Sequence, residues 1–219
     1  MKLEIIILAA GQGTRMRSTL PKVLHTIAGR PMLSHVIDTA RSLNPAGLHV
    51  VIGHGADAVK EAITGNDLNW VIQEQQLGTG HAVLQALPGV ADDSCVLVMY
   101  GDVPLLRAET LTSLVEAAAA GPALLTARVA DPAGYGRVVR NESGRLTGVV
   151  EHKDATAEQH AIDEINTGVL AAPAADFQRY LPQVGNDNSQ GEYYLPDVLA
   201  LAVAEGREVA SCTVESELD

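Results

Sequence analysis

The residue types with chemical potential begin early in the chain. The apolar run at residues 5–10 ends in small residues and delivers the chain into Gly11-Gln12-Gly13-Thr14-Arg15-Met16. Glycine tolerates positive φ and close approach of a ligand, and successive N–H groups in such a turn form an anion-binding concavity. Arg15 and Lys22 would add full positive charges beside it. In the first 30 residues Lys2, Arg15, Arg17, Lys22 and Arg30 stand against one acid, Glu4, so the local field favours a phosphorylated ligand. Two better-known phosphate motifs do not fit. Met16 stands where a dinucleotide fingerprint needs a third Gly or Ala, and no Gly-Lys-Ser/Thr follows as a Walker A loop requires. Taken alone, the two glycines serve a tight strand-to-helix turn equally well.

Asp102 follows the apolar run 95–100, which places its carboxylate at a strand's C-terminal end, where ligands of open α/β sheets collect. Mg²⁺ takes hard oxygen ligands and keeps few protein contacts beside substrate phosphates, so one Asp there can begin a site; it is as readily a helix cap or turn residue. Gln73 ends another run. Its amide carries donor and acceptor and matches a pyrimidine edge, or simply a solvated strand end. Gly78 and Thr79 would let the backbone touch that base. Arg15, Lys22 and a metal on Asp102 could neutralise an α-phosphate. Nucleotidyl transfer by in-line attack needs that charge and positioning, and no protein nucleophile.

The elements that must hold these groups are legible in the hydrophobic period. Residues 4–9, 49–52, 70–73, 95–100 and 124–129 are continuous apolar runs, as expected of parallel strands covered on both faces. Between them Met32, Leu33, Val36, Ile37, Ala40 and Leu43 repeat at helical spacing from a start near Pro31. Further helices are predicted after Gly55 and after Gly80, and 117–120 reads as a helix end. After Asp131 the pattern changes to shorter extended pieces at 136–140, 146–150 and 165–171, which suggests an inserted antiparallel part. Helical stretches at 174–181 and 195–205 lead to a last strand at 208–214. The fold expected is α/β, a Rossmann-like, mostly parallel sheet flanked by helices, with one lobe over about 1–130 that carries the glycine loop and a small antiparallel lobe with closing elements over 131–219.

Bulk composition narrows the function classes. The chain has 219 residues, 47% of them hydrophobic and 19% charged, and the formal charge of −12 disfavours nucleic acid as a partner. Residues 1–10 do not read as a signal peptide, and no apolar run approaches the roughly 20 residues of a spanning helix, so no membrane association and a cytoplasmic location are expected. Cys95 and Cys212 lie in strand-like runs without metal-ligand spacing and read as buried packing residues.

The loop continues as Leu8-Ala9-Ala10-Gly11-x-Gly13-Thr14-Arg15-Met16 with Pro21-Lys22 beyond it. Later come Gln73 with Leu77-Gly78-Thr79-Gly80-His81-Ala82, Tyr100-Gly101-Asp102-Val103-Pro104-Leu105, Gly134-Tyr135-Gly136-Arg137, Val150-Glu151-His152-Lys153-Asp154-Ala155, Glu164-Ile165-Asn166-Thr167-Gly168 and Gln190-Gly191-Glu192-Tyr193-Tyr194. In this series the chain resembles, over essentially its whole length, the sugar-activating nucleotidyltransferases, and among them the uridyltransferase domain of the bifunctional enzymes that make UDP-N-acetylglucosamine.

The resemblance implies transfer of UMP from UTP to N-acetylglucosamine 1-phosphate with release of pyrophosphate, assisted by Mg²⁺ on Asp102. It implies catalytic roles for Arg15, Lys22 and Asp102. The nucleotide would lie on Leu8, Ala9, Ala10, Gly11, Lys22, Gln73, Gly78 and Thr79, beside Tyr100 and Gly101, and the sugar on Gly136, Glu151, Asn166 and Thr167. His81 and His152 are expected to orient loops. The family's second metal ligand, an Asn beyond the last strand, and its acetyl-transferring, trimer-forming β-helix have no counterpart in residues 1–219. The expectation is therefore a monomeric piece with impaired transfer, cut from a homotrimeric protein. Other sugar 1-phosphate nucleotidyltransferases share the glycine loop, and a non-catalytic nucleotide-binding module would keep it too; Gln73 combined with Glu151 and Asn166 separates the first reading from these.

Overall fold

The structure, a computed structural model, describes residues 2–11, 13 and 18–214. The first strand, β1 (Lys2–Leu8), is followed by a small antiparallel pair, β2 (Thr26–Ile27) and β3 (Arg30–Pro31), and by α1 (Met32–Ser42). Three βα units come next: β4 (Gly47–Ile52) with α2 (Ala56–Ala62), β5 (Leu68–Ile72) with α3 (Thr79–Ala86), and β6 (Ser94–Tyr100) with α4 (Ala108–Ala117). Beyond them lie β7 (Ala123–Arg128), the hairpin β8 (Arg137–Arg140) and β9 (Leu146–Val150), α5 (Ala157–His160), β10 (Glu164–Pro173), α6 (Ala174–Tyr180), α7 (Asp197–Ala204) and β11 (Ala210–Val214).

The main sheet has the order β11-β7-β10-β6-β1-β4-β5, with the hairpin attached through β8 to β10. β1 pairs parallel with both β4 and β6, β4 with β5, and β7 with β11. In β1 Ile5 and Ile7 pack on one face with Leu33, Val36 and Leu111, while Ile6 and Leu8 pack on the other with Val83, Phe177 and Leu199. Burial on both faces is why the strand is apolar without alternation.

Two details depart from the sequence reading. The run 165–171 does not sit in a separate antiparallel part: β10 lies inside the main sheet, antiparallel to β6 and to β7. Only its second half, residues 170–173, pairs with β6, while its first half keeps β7 on one side and meets β8 through Ile165 and Arg137, so the antiparallel portion is the β8–β9 hairpin leaning on that half. The third helix also starts earlier, at Thr79, with Gly78 before it and Gly80 inside it. Cys95 is fully buried and its thiol is pushed up to about 11 by burial, whereas Cys212 is only half-buried because β11 forms the sheet's edge. Among the described residues no helix is long and apolar enough to cross a membrane.

Candidate active site

A cavity of about 630 Å³ opens at the C-terminal ends of β1, β5 and β6. Parallel strands stop there together, and the ladder carries the loops a little further: Ala9 N–H donates to Val51 O at 2.8 Å, Gly101 N–H to Leu8 O at 2.9 Å and Gln73 N–H to Ile52 O at 2.8 Å. Leu8, Ala9, Ala10, Gly11, Lys22, Gln73, Gly78, Thr79, Tyr100 and Asp102 all line the cavity. Gly101 lies behind the wall, where a Cβ would come within 3.1 Å of Leu33 Cδ1 and 3.3 Å of Ala9 Cβ. Arg15 lies outside the described residues.

At the phosphate end, Gly13 has φ +60° and a Cβ on it would meet Lys22 Cβ at 2.8 Å. The glycine thus lets the loop close onto the residue that supplies the cation. Lys22 opens a single 3₁₀ turn, Lys22–Leu24, tethered by buried Val23 and Leu24. Its Nζ forms an ion pair with Asp102 Oδ2 across the cavity, with the two side chains 40% and 23% exposed. Lysine and carboxylate face the same space, and each would meet a phosphorylated ligand entering it.

At the other end, the side-chain nitrogen of the buried Gln73 donates to Gly78 O at 3.1 Å and contacts His81 Nδ1 at 3.0 Å. The loop that carries Gly78 is clamped by a distant segment. Tyr193 N–H donates to Leu77 O at 2.8 Å, Gly80 N–H to Tyr193 O at 2.8 Å, and Leu195 N–H to Thr79 Oγ1 at 3.0 Å. Gly78 has φ +111°, and a Cβ there would stand 2.6 Å from Tyr193 O and 2.8 Å from Tyr193 N. Backbone cannot yield as a side chain does, so Gly78→Ala is expected to cost at least about 2 kcal/mol of stability, from strained φ and the displaced clamp together. Thermal unfolding of the variant checks this; an unchanged midpoint would contradict the clamp.

Gly136, Glu151, Asn166 and Thr167 lie apart from that cavity wall but are held together. Asn166 N–H donates to Gly136 O at 2.8 Å, its Oδ1 accepts from Gly168 N–H at 2.8 Å, and a Cβ on Gly136 would be 3.0 Å from Glu151 Oε1. The Thr167 hydroxyl is committed to Leu125 O at 2.7 Å. Tyr100 joins the two groups: it lines the cavity, its ring fills the space beside Gly168, and it feels the charges of Glu151 and Asp102. Burial drives its phenol far above the usual range.

Acidic groups crowd this side. Burial, then Asp197, Asp154 and Glu192, raise the Glu151 carboxyl. Burial and Asp154 push Asp197 up to about 6. A carboxyl whose folded value exceeds its unfolded one lowers stability once ionised, above the folded value, and has no effect below the unfolded value. Asp197→Asn is accordingly expected to stabilise the protein near pH 8 by on the order of 1 kcal/mol, allowing for partial solvation, and to leave it unchanged near pH 3. Thermal melts across pH test this; an equal gain at both ends would contradict it.

The sequence reading missed Gln76 and Glu192, which also line the cavity. Glu192 stands within the Gln190–Tyr194 motif, so a signal existed; Gln76, whose amide donates to Gln73 O at 3.1 Å, carried none. His81 contacts the Gln73 side chain at 3.0 Å. His152 packs edge-on against His160 at 4.7 Å, and its Nδ1 has no hydrogen-bond partner among the described residues. No group of three or more His, Cys, Asp or Glu able to hold a metal occurs among the described residues.

Comparison with known proteins fits this geometry. The sequence profile of the MobA-like NTP transferase domain matches residues 5–164. The chain is 58% identical over 214 residues to the bifunctional protein GlmU of Azotobacter vinelandii, covering 96% of this chain and 46% of that protein. It is likewise 58% identical over 212 residues to GlmU of Pseudomonas aeruginosa, with the same coverage, 96% and 46%. The chain thus spans less than half the length of these relatives. A solved UDP-glucose pyrophosphorylase complexed with UDP-glucose superposes with a TM-score of 0.81 at 16% identity, covering 98% of this chain and 91% of that one. A candidate glucose-1-phosphate thymidylyltransferase from Bacillus anthracis gives a TM-score of 0.76 at 18% identity, covering 97% and 87%; at these identities the likeness speaks for the fold. A strand-end cavity faced by a glycine loop, a lysine and an aspartate, with a profile match across most of the chain, places the protein in the MobA-like NTP transferase family.

Proposed function

We propose that the chain transfers UMP from UTP to N-acetylglucosamine 1-phosphate, releasing pyrophosphate, and that it does so in the cytoplasm. The observation that carries the reading is the convergence of the glycine loop, Lys22, Asp102 and Gln73 on one cavity, with Glu151, Asn166 and Gly136 gathered beyond Tyr100. The high identity to the GlmU proteins supports the choice of nucleotide and sugar.

The donor set suits Mg²⁺, which commonly takes one or two carboxylates and otherwise water and phosphate oxygens. Asp102 supplies one such carboxylate, open to the cavity and already paired with a cation, Lys22. When bound, Mg²⁺ would neutralise charge on the transferred phosphoryl group. The chain's own residues do the rest. Lys22 releases Asp102 and holds the triphosphate, to which Arg15 adds its charge; Gln73, Gly78 and Thr79 seat the base; Glu151, Asn166 and Gly136 hold the sugar so that its phosphate oxygen faces the α-phosphorus. That oxygen forms the new P–O bond as pyrophosphate leaves, so positioning and charge account for the rate.

Direct displacement has a clear test. Labelled pyrophosphate should exchange into UTP only when N-acetylglucosamine 1-phosphate or its UDP product is present with Mg²⁺. Exchange with UTP alone would mean a uridylylated enzyme and would overturn the mechanism.

A further inference from the structure

We propose that Gly55 is a positioning residue for Lys22, acting through the ring of Pro21. Its role rests on the reading of Lys22 as the cation that holds the triphosphate. Pro21 precedes Lys22 in the chain and is buried. The turn that backs it, residues 53–55, follows β4 and ends at Gly55, the residue before α2. Gly55 has φ +71°, and a Cβ on it would stand 2.5 Å from Pro21 Cγ, with Cδ at 3.6 Å and Cβ at 3.7 Å. The glycine therefore seats the pyrrolidine ring directly on the backbone of the turn. Gly13 closes on the next residue from another loop, where its own Cβ would come within 2.8 Å of Lys22 Cβ. Pro21 and Lys22 are thus held by two glycines that lie far apart in the sequence.

The ring and the cation shift together. Leu24 N–H donates to Pro21 O at 2.9 Å and His25 N–H to Lys22 O at 3.2 Å, so Pro21 and Lys22 belong to one hydrogen-bonded turn. The Gly55 turn is tied in place from behind. Ala56 N–H donates to Gly53 O and Val59 N–H to Gly55 O, both at 3.1 Å, and Val59 is buried. Gly53 packs toward the base end of the cavity, where a Cβ on it would be 2.9 Å from Gln73 O and 3.2 Å from Ala10 Cβ. A side chain at position 55 must therefore push Pro21, and with it the root of Lys22, by about 1 Å to restore ordinary carbon contact. The shift also changes how the Lys22 stem meets the glycine loop, so cation and loop lose their common register. Misplacement of that size costs up to about 100-fold in rate.

The test is kinetic and places Asn at position 55. Asparagine tolerates a left-handed φ and suits the position before a helix, so the variant reports the contact with Pro21 more than backbone strain. In pyrophosphate release from UTP and N-acetylglucosamine 1-phosphate with Mg²⁺, Gly55→Asn is expected to lower kcat/KM at least about tenfold in a chain that still melts cooperatively. Pro21→Ala removes Cγ and Cδ and leaves a Cβ 3.7 Å from the added carbon. Alone it should cost about threefold through the lost support, and added to Gly55→Asn it should return kcat/KM to within about threefold of its own level. On a Lys22→Ala background Gly55→Asn should cost less than about threefold further, since the group it misplaces is gone. A folded Gly55→Asn chain with wild-type kcat/KM overturns the proposal, as does a loss that Pro21→Ala leaves unrelieved or that persists in full on Lys22→Ala. If Gly55→Asn does not fold, Pro21→Ala decides: wild-type kcat/KM, or an equal loss with and without Lys22, overturns it. Wild-type activity in Lys22→Ala alone would instead overturn the underlying reading of the site.

Discussion

Lys22→Ala is expected to lower kcat/KM for pyrophosphate release by about 100- to 1,000-fold, the size of effect seen when one preorganised charge-stabilising group is removed from a water-poor site. The fold should barely notice. The Lys22–Asp102 pair has both partners partly exposed, 40% and 23%, and pairs of that kind contribute about 0–1 kcal/mol to stability. Val23 and Leu24 still bury the turn from which Lys22 projects. Steady-state kinetics and a thermal melt on one preparation separate the two effects. An active variant would remove Lys22 from the chemistry, and an inactive, unfolded one would make it a structural residue.

Asp102→Asn tests the opposite charge in the same pair. The amide keeps the shape of the side chain at the end of β6 but loses the hard anionic oxygen that a Mg²⁺ ion would take. Metal neutralisation of a transferred phosphoryl group is worth several kcal/mol, so a fall in kcat of at least about 100-fold is expected at the wild type's optimal Mg²⁺. Part of that loss should return as Mg²⁺ is raised, which distinguishes this variant from Lys22→Ala. A Mg²⁺ titration superimposable on that of the wild type would show that Asp102 holds no metal and serves only to pair with Lys22.

Much of this site could be read from the sequence because its determinants are local. The loop glycine at Gly13 and the cation at Lys22 are near neighbours in the chain, and the contact between them is what the glycine permits. The same holds for β1, where Ile5, Ile6, Ile7 and Leu8 announce two covered faces without reference to any partner. What stayed hidden depends on distant pairing. An apolar run such as 165–171 does not say which strands will flank it, and β10 lies between β6 and β7 because of contacts made across the fold. Gln76 and Glu192 reach the cavity from opposite sides of a clamp between residues 77–80 and 193–195. The carboxyls that raise Glu151 come from three separate stretches, at Asp154, Glu192 and Asp197. Spacing along the chain cannot report such meetings.

The central claim is that this cavity joins a uridine nucleotide to N-acetylglucosamine 1-phosphate. It is tested most directly by pyrophosphate release from a matrix of nucleoside triphosphates and sugar 1-phosphates with Mg²⁺, using this chain and one extended beyond residue 219. UTP with N-acetylglucosamine 1-phosphate should give the highest kcat/KM, with CTP or glucose 1-phosphate lower by at least about tenfold. A preference for another nucleotide or another sugar in the extended protein would contradict the assignment.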